Sequence, residues 1–191
     1  MHNLEEIING CKEGDAPMQR ELYNRYSPRF YSLCRRYAKD DEMADYALLD
    51  GFLTIFKNID KYRGDGSFEG WMQKIFLRKI IHSYRKQNKY KTTFETISTA
   101  NTLEEHHFYE VVDLDQRLDV NDALIESLRT LSAIQQTIFN MIAVDGYTFK
   151  NVADILNKKE STIKYHYYNA CDIVKSMMIE KLGKKYIKSI L

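Results

Sequence analysis

Helix breakers are scarce in this chain of 191 residues, with two prolines (Pro17, Pro28) and eight glycines. Long helical periodicities therefore run with few interruptions, and no stretch alternates apolar and polar residues cleanly as a half-buried strand does. The expected fold class is all-α. No apolar run approaches the ~20 residues that a bilayer-spanning helix needs. The opening MHNLEEIINGCKEGD has neither the charged start nor the apolar stretch of a secretory signal. Cysteine is sparse and odd in number (Cys11, Cys34, Cys171). These three match neither a disulfide framework nor a CxxC metal pair, and the expectation is reduced thiols in a cytoplasmic protein. Net charge is nearly absent too, at +1. His106-His107 has no partner at metal-ligand spacing, and there is no Gly-rich phosphate loop or nucleophile motif. No cofactor and no metal are expected, and an enzyme is the least favoured class.

Against that balance the charge is unevenly placed. From residue 70 to 94 there are seven Lys or Arg (Lys74, Arg78, Lys79, Arg85, Lys86, Lys89, Lys91) and no acid. From 95 to 122 there are eight acids against one Arg117. The basic block reads as a helix capped by Ser67, whose hydroxyl can accept a first-turn N–H. Its apolar line is Met72, Phe76, Ile80 and Tyr84, reinforced by Ile75, Leu77 and Ile81, with Lys74, Arg78, His82 and Arg85 opposite. A concentrated basic face flanked by Tyr62, Phe68 and Trp71 points to a polyanion with bases, that is, nucleic acid. The Thr- and Ser-rich acidic stretch reads as a linker, either a solvated loop or a segment that folds back on the basic helix.

Three further helices are expected before that block, over 4–14, 17–38 and 42–59. After the linker the spacing predicts helices over 120–130, 132–144, 148–156 and 160–182. The last two, joined by Asn157-Lys158-Lys159, have helix-turn-helix dimensions. Phe149, Val152, Ala153, Ile155 and Leu156 would pack against Ile163, Tyr167, Ala170 and Val174. Ser161, Thr162, Lys164, Tyr165, His166, Tyr168 and Asn169 would face outward, with Lys158, Lys159 and Lys164 placed for phosphates. A plain αα-hairpin is the alternative.

Taken together, the two halves resemble an RNA polymerase sigma factor of the sigma-70 family, extracytoplasmic-function (ECF) group. The run ADYALLDGFLTIFKNIDKYRGDGSFEGWMQKIFLRKIIHSYRK resembles sigma region 2, most specifically in Phe68-x-x-Trp71. Asp145-Gly146-Tyr147-Thr148, Val152-Ala153 and Ser161-Thr162-Ile163-Lys164 resemble region 4. The resemblance implies a region 2-like domain over 1–91, an acidic linker over 92–119 and a region 4-like domain over 120–191. It implies core RNA polymerase and promoter DNA, duplex and melted, as partners, with an anti-sigma factor as a further one and no membrane insertion. It assigns polymerase contact to the helix holding Tyr46, Leu49, Asp50, Phe52 and Phe56. The downstream promoter element would meet Tyr62, Arg63, Asp65, Phe68, Trp71, Lys74, Arg78, Lys79, His82, Arg85 and Lys86. Of these, Tyr62, Arg63 and Asp65 are expected at the surface, whereas Phe68 and Trp71 either stack on an extruded base or anchor the glycine turn. The upstream element would meet the outward residues of the helix-turn-helix.

The chain departs from the family where Tyr46 replaces an acidic residue and Leu49 a Gln. It departs again where His166 and Asn169 stand at positions often held by Arg, which implies weaker electrostatics or a different promoter sequence. A stand-alone helix-turn-helix regulator, or a sigma-like interaction protein that does not initiate transcription, remains open at this level.

Overall fold

The structure is a computed structural model and describes residues 2–87 and 114–183, with side chains 83–119 excluded. Most of the expected linker lies outside the described residues. The chain divides into two units, residues 1–87 and 88–191, and each is described by itself. Every regular element among the described residues is helical.

Unit 1 contains α1 (Leu4–Lys12), α2 (Ala16–Tyr37), α3 (Asp41–Asn58), a 3-10 turn (Ile59–Lys61) and α4 (Phe68–Gln87). Local chemistry sets the starts. Asn3 and Glu6 form a reciprocal capping box on α1, and the side chains of Asp15 and Asp40 accept the N–H of Met18 and Met43. Each satisfies a first-turn donor that the helix itself leaves unpaired. The core is built on three phenylalanines from three helices. Phe30 of α2 stacks on Phe76 of α4 with centroids 4.5 Å apart, and Phe52 of α3 sits edge-on to both. All three are at most 1% exposed. Gly51 lets α4 approach: a Cβ there would lie 2.1 Å from Cε1 of Phe76.

Unit 2 contains α5 (Leu114–Arg129), α6 (Ala133–Phe139), α7 (Phe149–Leu156) and α8 (Glu160–Leu182). Ser132 and Gln135 form the capping box of α6. The helix expected over 132–144 is not uniform. Its last turn widens to π geometry at Asn140–Val144, with Asp145 N–H donating to Asn140 O at 2.9 Å, before Gly146 turns the chain at φ 73°. The core joins Leu128 and Leu131 to Ala170 and Val174. Lys181 and Glu126 form an ion pair between α8 and α5, which holds the Glu126 carboxyl below its usual range.

Candidate nucleic-acid interface

The glycine turn before α4 is organised by aromatic packing. Gly64 and Gly66 take φ of 84° and 85°, a region that side chains with a Cβ rarely adopt. Tyr62 donates its hydroxyl to Gly66 O at 2.9 Å and packs on Phe68 and Trp71 with centroids 5.0 and 5.6 Å away. Tyr62 is therefore half-buried and holds the turn closed, which corrects its expected place at the surface. Arg63 and Asp65 are exposed. Ser67 Oγ accepts the Gly70 N–H at 3.1 Å and starts α4.

Phe68 is 2% exposed, so it has no face free for a base; burial against Tyr26, Tyr62 and Trp71 makes it the anchor of the turn. Trp71 stacks on Phe68 at 5.5 Å and 22° and is half-buried. Its inner face is supported while part of the indole still meets solvent.

Along α4, Trp71, Lys74, Arg78 and His82 follow i, i+3, i+7 and i+11, which is one face of a 3.6-residue helix. Off that line the helix buries Met72, Phe76, Leu77 and Ile81, with Ile81 on the Lys74 flank. Aromatic and cationic chemistry thus share one line, with the ring at its head. Lys79 leaves that line. Its ammonium binds Asp50 of α3 at 2.9 and 3.0 Å, so the charge expected for phosphate is neutralised within the fold. Register explains the difference: Lys79 stands two turns after the buried Met72 (i+7), off the basic line, and reaches α3. Arg85 and Lys86 belong to the last turn of α4, with side chains outside the described residues. The acidic Glu69 of the first turn pairs with Arg29 of α2.

The helix α3 carries an apolar surface. Tyr46 is 75% exposed, Leu49 56% and Leu53 60%, with Met43 beside them. Asp50 lies in this stripe. Phe52 does not. It is 1% exposed and lies on the core side with Phe30 and Phe76, which removes it from any contact surface. Phe56 is partly covered and packs 6.1 Å from Phe52. Leu53 and Met43 escaped the sequence reading, although the i+4 step from Leu49 and the i−3 step from Tyr46 mark them.

In the helix-turn-helix, Thr148 Oγ1 accepts the Asn151 N–H and opens α7. Asn157 closes it in the left-handed region at φ 50°, where Asn is tolerated. Val152, Ala153, Ile155, Leu156, Ile163, Ala170 and Val174 are buried, while Phe149 and Tyr167 are half-buried and pack together at 5.3 Å. Ser161, Lys164, Tyr165 and Tyr168 are exposed, and Thr162, His166 and Asn169 partly so. Lys159 is exposed and Lys158 partly covered at the mouth of the turn. Lys164 is bound to Glu160 at 2.7 Å and lies 5.6 Å over the Phe149 ring. Burial, with the Lys158 charge, pushes the His166 imidazole below its ordinary value.

The family model for sigma-70 region 2 matches residues 22–90, and that for sigma-70 region 4 matches residues 121–172. The chain belongs to the sigma-70 family, in its ECF group. Sigma-70 proteins are DNA-binding transcription initiation factors and not enzymes. Among curated proteins it is similar to the ECF RNA polymerase sigma factor SigM of Mycobacterium tuberculosis, 23% identical over 83% of this chain and 76% of that protein. It is also similar to the ECF RNA polymerase sigma-E factor of Escherichia coli, 18% identical over 88% of this chain and 90% of that one. Among solved structures it resembles the sigma factor RpoE, in complex with the anti-sigma factor NepR, from Bartonella quintana, with a TM-score of 0.47 and 17% identity over 83% and 95% of the two chains. In this sigma chain α2–α4 hold the region 2 match and α5–α8 the region 4 match. No helix among the described residues is long and apolar enough to cross a membrane.

Proposed function

We propose that this sigma chain docks on core RNA polymerase through the exposed stripe of α3 and holds the downstream promoter element along α4. The α8 helix enters the major groove of the upstream element. The observation that carries the reading is the line Trp71–Lys74–Arg78 on α4. Lys74 and Arg78 neutralise phosphates and release counterions. Trp71, seated on Phe68, offers a supported ring to the strand that separates there. Unstacking a base costs a few kcal/mol and stacking on an aromatic returns about 1–3 kcal/mol, so one ring and two cations suffice to bias the duplex toward opening.

The polymerase contact is Tyr46, Leu49, Asp50 and Leu53, more apolar than the family pattern implies. Burying Leu49 and Leu53 under a partner contributes about 1.5–3 kcal/mol each when complete. Functional boundaries are assigned at 1–91, 92–119 and 120–191, with the acidic segment as the connector between the DNA-binding parts. The site of action is the cytoplasm, where core polymerase and promoters are. An anti-sigma regulator rests on family membership alone, and no residue is assigned to it.

The test is assembly of the full chain with purified core polymerase, followed by permanganate mapping of unpaired thymines on promoter DNA. A holoenzyme that opens a short, defined bubble is expected. No assembly, or no unpaired thymines in an assembled complex, would overturn the reading.

A further inference from the structure

The last arginine of the sequence is Arg129, so the helix-turn-helix lacks the side chain that most often reads guanine by a two-point contact. Its lysines are otherwise engaged. Lys158 and Lys159 precede α8 and would serve phosphates rather than bases. Lys164 is held by Glu160 and the Phe149 ring, and the same pair occupies the Glu160 carboxylate, which could otherwise accept from cytosine. What faces outward is different chemistry. Ser161, Tyr165 and Tyr168 follow i, i+4 and i+7 down the exposed side of α8, and Asp172 continues the line at i+11. A carboxylate at that position repels phosphate and confines DNA to the first three turns. Tyr165 is 64% exposed and Tyr168 58%. Asn169 lies one turn after Tyr165.

We propose, on the strength of the sigma reading above, that Tyr165 and Asn169 determine specificity by reading adjacent A·T pairs of the upstream element. The Tyr165 ring packs on the C5-methyl of thymine, and the Asn169 amide bridges N6 and N7 of adenine, the two-point match open to Asn in the major groove. The helix reads no guanine. Tyr168, tilted against Phe149 and edge-on to Tyr167, lies on the flank toward α7 and braces the α8 surface.

The experiment uses the full chain with core polymerase and a duplex library randomised in the upstream element, selecting open complexes. A·T pairs at two adjacent positions are expected. In the selected sequence, replacing that thymine by uracil removes only the methyl and weakens binding about fourfold, the value of one buried CH₂-sized group. Tyr165→Ala erases the thymine–uracil difference, whereas Tyr165→Phe keeps it, and Asn169→Ala relaxes the adenine position fivefold or more. Both side chains project from the helix surface, so the variants keep the fold, as circular dichroism checks. Selection of G·C at these positions, equal binding of thymine and uracil, or loss of the difference in Tyr165→Phe would overturn the proposal and leave the sigma reading standing. Failure to form open complexes on any member of the library would overturn both.

Discussion

Gly51→Ala adds one methyl where α3 and α4 touch, and its cost follows from the surrounding distances. The new Cβ would lie 2.1, 2.5 and 2.6 Å from Cε1, Cζ and Cδ1 of Phe76, all far inside van der Waals contact. Phe76 cannot swing aside. It is 1% exposed, stacked on Phe30 at 4.5 Å and edge-on to Phe52 at 5.7 Å. Either the aromatic cluster or the helix pair must give, and overpacking of this kind costs about 1–3 kcal/mol. Three short contacts against a fully packed ring put the cost near 3. Ala gains about 1 kcal/mol over Gly in a helix interior, leaving a net loss of about 2 kcal/mol. Trp71 is the single tryptophan of the chain and lies in unit 1, so its fluorescence in urea follows that unit alone. With slopes of about 1–2 kcal/mol per molar for a unit of this size, the midpoint falls by about 1–2 M. Phe76→Leu in the same chain returns part of the loss, with a coupling of about 1 kcal/mol. A Gly51→Ala chain as stable as the parent, or more stable, would refute the close approach of α3 and α4. It would also refute the relation between the apolar stripe and the basic line that this approach fixes.

The two cations on the α4 line should differ from the one beside it. Lys74→Ala and Arg78→Ala each lower the slope of log affinity against log salt by about 0.9 on duplex DNA, while Lys79→Ala, already neutralised by Asp50, changes it little; equal slope changes in all three would contradict the assignment. Leu53→Asp, at a site 60% exposed, leaves the unfolding free energy within about 0.5 kcal/mol of the parent but weakens assembly with core polymerase at least tenfold in a competition titration. His166 has a lowered pKa, so the folded unit binds fewer protons than the unfolded chain between that lowered value and ~6.5. The stability of unit 2 therefore rises with pH through that window. DNA affinity runs the opposite way, because a protonated His166 adds a cation near phosphate. His166→Ala flattens both profiles, and a DNA affinity that rises with pH would contradict this placement.

The helices themselves were legible because their signals are local. Ser67 and Ser132 cap α4 and α6 as their hydroxyls imply, and the buried set Met72, Phe76, Leu77 and Ile81 follows the 3.6-residue period. What escaped depends on pairs distant in sequence. Nothing local to Lys79 shows that Asp50 will face it across two helices. Periodicity sets Phe52 on one stripe with Ala44, Leu48, Ile55 and Ile59, and all five are buried; only the family resemblance put it at the polymerase contact. Tyr62 read as a surface residue because it stands in a glycine turn, yet its ring and hydroxyl are what close that turn. The π turn at Asn140–Val144 is instead local, a backbone bond one residue longer than the α bond. Leu53 and Met43 were missed for another reason: exposed apolar residues on a helix look like core until the packing of the other face is known.

The most direct test of the central claim is transcription in vitro by core RNA polymerase on genomic DNA, with and without the full chain, mapping the 5′ ends of the transcripts. The account predicts a set of discrete start sites that appear only when the chain is added, and whose number falls when Trp71 and Lys74 are both replaced by Ala. Start sites identical with and without the chain would contradict it.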